Sequence, residues 1–160
     1  MGYTHYWKFK QNPKDIKNGA NKFKTAVERL KVCLTKLPKK VDFDYYDYKN
    51  NKIEDVEVDL VLAGGNGTGE PLFDDECVCF NGLFTPETDF SHETCCIQLD
   101  EPDNFEFDFC KTAEKPYDVA VCLTLLCFKD AFGNDFTYSS DGDGTEYGWV
   151  TAKKIFNSIF

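Results

Sequence analysis

Two histidines are the side chains of this sequence best suited to proton transfer near neutral pH. His5 lies in Gly-Tyr-Thr-His-Tyr-Trp and His92 in Ser-His-Glu-Thr, each among aromatic, hydroxyl or carboxylate neighbours. Two further segments add polar groups: Phe-Cys-Lys-Thr-Ala-Glu-Lys-Pro-Tyr-Asp at 109–118 and Ser-Ser-Asp-Gly at 139–142. Taken as walls of one site, these segments give a pocket of Thr4, His5, Trp7, His92, Lys111, Thr112, Lys115, Ser139, Ser140 and Asp141. The lysines follow a strand pattern and precede a helix start, where backbone N–H groups and the helix dipole favour an anion. With Trp7 to stack on a base, the expected occupant is a small anionic, nucleotide-like ligand. If the pocket catalyses, His5 and His92 are the acid and base of a metal-independent cleavage of a phosphodiester or glycosidic bond. His92-Glu93-Thr94 has the His-x-Thr spacing of two-histidine phosphoesterases, but only one such motif is present. The plainer reading makes His5 a hydrogen-bonded core residue and His92 a rim residue.

Other motifs carry less. Gly64 to Pro71 is glycine-rich, yet no Gly-Lys-Ser/Thr ends it and no helix pattern follows, so it reads as a mobile loop bordering a site rather than a phosphate-binding loop. Cys77, Cys79, His92 and Cys95 are four ligand types suited to zinc, but the Cys-x2-Cys knuckle is missing, and neither metal nor cofactor is expected. Cys110, beside Lys111, is a candidate reactive thiol whose ordinary role is a buried one. Ser139-Ser140-Asp141-Gly142 is not a Gly-x-Ser-x-Gly elbow and reads equally as an Asp-Gly turn.

The elements that must position these residues form one α+β domain over 1–160. Tyr3, His5, Trp7 and Phe9 alternate with Thr4, Tyr6 and Lys8, the period of a strand. Asn12-Pro13-Lys14-Asp15 reads as a helix start. Ile16, Ala20, Phe23, Val27, Leu30, Leu34 and Leu37 make a long amphipathic stripe that Pro38 ends. Strands are expected over 41–63, with a surface excursion at 45–51, and near 76–80, 93–99 and 105–110. A second helix opens at Pro116 and Asp118. Its Val119–Phe128 stretch is apolar nearly all round and so is buried centrally. A strand at 135–139 and a helix at 149–160 close a mostly antiparallel fold.

Charge narrows the partners. With 28 acidic and 18 basic side chains the net charge is −10, which disfavours a nucleic-acid backbone. Lysines concentrate in 8–40 and carboxylates in 42–108. The acidic stretches Asp42 to Asp47 and Asp100 to Asp108 suit a third reading, an acidic interaction protein or DNA mimic that docks on a basic host protein. No run approaches the roughly 18 apolar residues of a membrane span, and the opening residues lack a signal-peptide pattern, so a cytoplasmic protein with free thiols is expected. Oligomeric state is not readable.

Met-Gly-Tyr-Thr-His-Tyr-Trp, Gly-Thr-Gly-Glu-Pro, His-Glu-Thr, Phe-Cys-Lys-Thr-Ala-Glu-Lys-Pro-Tyr-Asp and Ser-Ser-Asp-Gly-Asp occur in this order between positions 1 and about 149. In these segments the chain resembles a family of small uncharacterised bacteriophage and bacterial proteins that open with MGYTHYW; the 45–58 region goes its own way. The resemblance carries no activity. It implies a phage-associated setting, with the host cytoplasm as the place of action and a counter-defence role.

Overall fold

Alternation at the start of the chain becomes the centre of a sheet. In the computed structural model, which describes residues 2–47 and 49–160, β1 (Thr4–Phe9) buries His5, Trp7 and Phe9 and turns Thr4, Tyr6 and Lys8 outward. The long helix that follows, α1 (Gly19–Leu34), buries Phe23, Ala26, Val27, Leu30 and Cys33 along one stripe. It starts six residues later than a cap at Asn12 predicts, with Asn18 at the N-cap position. Pro13–Asp15 is a single 3-10 turn, and Asn18 adopts a left-handed φ of 58°. The Asn12 side chain does not cap a helix. It donates to Asp100 Oδ1 and accepts the Glu101 N–H, tying this turn to a distant segment. The turn folds back so closely that a Cβ at Gly19 would meet the Pro13 carbonyl at 1.9 Å, which requires glycine there.

A two-stranded antiparallel hairpin comes next, β2 (Lys40–Asp47) and β3 (Lys52–Asp59). The excursion expected at 45–51 is therefore mostly strand, with only the connecting turn between Asp47 and Lys52; Tyr48 lies outside the described residues. β4 (Leu62–Ala63), β5 (Leu72–Phe73), β6 (Cys77–Gly82) and β7 (Cys95–Gln98) form a second antiparallel sheet around β6. The glycine-rich stretch is a 3-10 turn with Asn66 left-handed, and it leads into β5 rather than a helix.

β8 (Asp108–Lys111) pairs with β1 on one side, and after α2 (Asp118–Phe132) the strand β9 (Phe136–Ser140) pairs with it on the other. α2 is buried all round, from Asp118 to Leu125 and again at Cys127 and Phe128, because α1 and α3 (Tyr147–Ile159) pack against it. Phe9, Phe23, Phe128, Phe132 and Phe136 meet ring to ring at its C-terminal half. The chain end joins this core. Ile155, Phe156 and Ile159 pack on it, and the Arg29 guanidinium lies 5.0 Å over the Phe160 ring. The α+β architecture with a central buried helix is thus the observed one. No helix is long and apolar enough to cross a membrane among the described residues.

Candidate functional site

β1 pairs with β8 and β9, which sets His5 opposite both Cys110 and Ser140. Its ring is fully buried beneath the sheet and meets the first turn of α2. His5 Nε2 lies 2.6 Å from Asp118 Oδ1 and Nδ1 lies 2.7 Å from Ser140 Oγ. Ser140 Oγ also accepts the Trp149 indole N–H at 3.2 Å. One hydrogen-bond arrangement gives both ring nitrogens a partner. Trp149 donates to Ser140, Ser140 to Nδ1, and Nε2–H to Asp118. Thr112 donates its hydroxyl to the same Asp118 oxygen in a short hydrogen bond. Cys122, one helical turn on, donates to Asp118 Oδ2 at 3.7 Å. Asp118 therefore sits at the helix N-terminus with three side-chain donors aimed at it. A buried carboxylate is tolerated on such terms.

Glycine makes the last approach possible. A Cβ at Gly148 would lie 2.0 Å from Asp118 Oδ2, so only glycine lets α3 close over the carboxylate. Tyr3 and Trp149 set ring edges against His5 with centroids 5.1 and 5.6 Å away. The Tyr3 hydroxyl is buried beside Glu146 without a hydrogen-bond partner of normal geometry among the described residues, and burial first, then that carboxylate, pushes its pKa up.

Ser140, His5 and Asp118 stand in the order of a nucleophilic triad, yet the geometry does not serve that chemistry. His5 has no exposed surface, Ser140 is held under α3 by Trp149, and neither lines the neighbouring cleft. His5 Nε2, an Asp118 oxygen and Cys122 Sγ lie within 4.8 Å of one another, the one grouping of three metal-ligating side chains among the described residues. All three side chains take part in the hydrogen bonds above.

The cleft lies on the far side of Asp118. It encloses about 300 Å³ between the β2–β3 hairpin, the 113–116 turn and the first residues of α2 and α3. Among the described residues its carboxylates are Asp42, Asp44, Asp55, Glu114 and Asp118, and its single basic residue is Lys115. Pairing on the hairpin places Asp42 opposite Glu57 and Asp44 opposite Asp55, like charges face to face. On the other wall Ala113 and Glu114 both adopt left-handed φ, 52° and 55°. Two successive non-glycine residues in that region are costly. They are held there by Thr112 and Ala113 N–H bonds to the Tyr3 carbonyl and by Glu114 N–H to Thr112 Oγ. Burial first, then Asp118, Glu146 and Asp44, raises the pKa of the Glu114 carboxyl.

Of the residues singled out in the sequence, the structure gathers some and separates others. His5, Thr112 and Ser140 share the buried network. Thr4 and Asp141 meet at its rim, where the Thr4 N–H donates to Asp141 Oδ2 and the Tyr6 hydroxyl to Oδ1. Ser139 points to the exposed face of β9. Trp7 is buried with its indole N–H unpartnered among the described residues. Lys111 lays its stem over Gly2, and its N–H bonds Glu93. Lys115 spends its ammonium on the Asp89 and Ser91 carbonyls, at 3.1 and 2.6 Å. His92 is exposed, its backbone gripped by the Asn81 side chain, and no hydrogen bond or ring contact joins it to His5 among the described residues. Asp118, Cys122, Gly148 and Trp149 are the partners that sequence reasoning missed. In the sequence Asp118 reads only as the last residue of the 109–118 segment and the opening of the second helix, and the Gly148-Trp149 pair is the one local trace of the close approach. No family model, curated protein or solved structure matches this chain.

Proposed function

We propose that the protein is an acidic binding module whose cleft accepts a basic side chain of a partner protein. The carrying observation is charge without a counter-ion. Five carboxylates line the cleft, and none forms an ion pair with lysine or arginine among the described residues. Asp118 is satisfied by His5, but Asp42, Asp44, Asp55 and Glu114 have no paired cation among the described residues. Directly opposed acids on paired strands cost stability, and a cation between them converts that cost into binding energy. Arginine suits the site better than lysine, since its planar fork engages two carboxylates at once.

This reading takes the opposite charge to the small anionic ligand expected from the sequence. That expectation relied on Lys111 and Lys115, and the Lys115 ammonium is already committed to two backbone carbonyls. The buried histidine likewise favours a binding module over an acid–base enzyme. The resemblance to bacteriophage proteins makes a basic protein of the host cytoplasm the partner class to test first, with inhibition as the outcome of binding.

The test is fluorescence anisotropy with a short arginine-containing peptide and its citrulline counterpart, which keeps the shape and loses the charge. The arginine peptide should bind, about tenfold more weakly to Asp44→Asn/Glu114→Gln, and more weakly at high salt. Equal binding of the citrulline peptide, or none of either at low salt, contradicts the proposal.

A further inference from the structure

The eight cysteines are not scattered. Cys33 and Cys127 face each other between α1 and α2 with sulfurs 4.0 Å apart, both buried. Cys95 and Cys110, also fully buried, are close enough to perturb one another. The third group differs in access. β6 and β7 place Cys79 directly opposite Cys96, and Cys77 lies two residues along the same face as Cys79. The alternate residues Val78, Phe80, Cys95 and Ile97 are fully buried, so Cys77, Cys79 and Cys96 project from the opposite, half-exposed face.

From this arrangement we propose that Cys79 and Cys96 are a dithiol site that reacts with low-molecular-weight disulfides, glutathione disulfide being the representative, and closes into a reversible cross-strand disulfide. Directly opposed residues on antiparallel strands have Cα atoms about 4.5–5.5 Å apart, inside the span a disulfide bridges. The thiols sense each other already. Cys77 is pushed up to about 12 and Cys79 to about 11, by burial first and by Cys96 next. Cys96 Sγ accepts a hydrogen bond from the Gln98 side-chain amide at 3.7 Å, which orients it on the half-exposed face, and Cys96 is the attacking sulfur of the proposal. The Cys96 thiolate attacks one sulfur of glutathione disulfide, breaks its S–S bond and releases one glutathione thiolate. Cys79, giving its proton to water, then attacks the Cys96 sulfur and displaces the second glutathione. Two protein thiols are oxidised to one disulfide, and one glutathione disulfide is reduced to two glutathione thiols. The buried pairs have neighbouring sulfurs but no exposed surface, so they are an internal control.

The test uses the full chain, incubated with glutathione disulfide and then read by intact mass and non-reducing peptide mapping. Cleavage after Phe80 and Glu93 puts the two strands' thiols on separate peptides. The expected product has lost two hydrogens, joins Cys79 to Cys96, and leaves Cys33, Cys127, Cys95 and Cys110 free to alkylate after unfolding. Cys77→Ser/Cys79→Ser removes both partners, so glutathione should stay attached to Cys96. A wild-type chain that ends as a stable glutathione adduct, pairs Cys96 with Cys77 instead, bridges Cys33–Cys127 first, or does not react overturns the proposal.

Discussion

Asp118 and Asp44 both border the same cleft, yet their surroundings are opposites. Asp118 is buried, opens a helix and accepts hydrogen bonds from His5, Thr112 and Cys122. Asp44 is exposed, faces Asp55 across the hairpin and has no cation paired with it among the described residues. A carboxylate inside the fold brings its donors with it, because nothing else offsets its desolvation. One at the surface can stay unbalanced at small cost, and the imbalance is then available to a partner. The node fixes the floor of the cleft, and the hairpin supplies its charge.

Breaking the node should have the largest effect. Asp118→Ala leaves the His5 N–H and the Thr112 hydroxyl buried without an acceptor, and urea unfolding should show a loss of about 3–5 kcal/mol. A loss under about 1 kcal/mol means water reaches the node and the contrast with Asp44 fails.

Glu101 sharpens the comparison as a second buried carboxylate with incomplete partners. Oε1 accepts the Gln98 N–H, but Oε2 has no partner among the described residues. Burial pushes this carboxyl up to about 7 from its usual 4.5. The folded state then holds the proton more tightly than the unfolded chain, so stability falls as pH rises from about 4.5 to about 7 and levels off above. Glu101→Gln should flatten that slope in urea titrations between pH 5 and pH 8, and an unchanged slope assigns it to other groups.

Gly148→Ala comes next. The added methyl meets Asp118 Oδ2, forcing α3 away from the node, and about 1–3 kcal/mol should be lost on thermal or urea unfolding. The smallest effect has the opposite sign. Asp44→Asn should stabilise the hairpin by about 0.2–1 kcal/mol at low salt, and the gain should shrink as salt screens the repulsion.

These contrasts explain which features could be read from the chain. The alternation of Tyr3, His5, Trp7 and Phe9 and the all-round apolar run from Val119 to Phe128 depend on neighbouring residues only, and both elements lie where those patterns place them. The start of α1 was not legible because Asn12 serves Asp100 and Glu101, almost ninety positions away. The same holds for the node. His5 meets Asp118 and Ser140 across 113 and 135 residues, separations on which local spacing is silent. Lys115 looked like an anion ligand because the carbonyls that occupy it, Asp89 and Ser91, come from another loop. The acidic cleft was visible only as an acidic stretch; register alone shows that Asp42 and Asp44 confront Glu57 and Asp55.

The most direct measurement of the cleft's role is a two-dimensional NMR titration of the isotope-labelled chain with a short arginine-containing peptide at low salt. The account predicts that the backbone amides of Asp42, Asp44, Asp55 and Glu114 shift together and saturate, while those of His5 and Ser140 stay in place. Shifts confined to Lys111 and Lys115, produced by a phosphate compound and not by the peptide, would contradict it and restore an anion site.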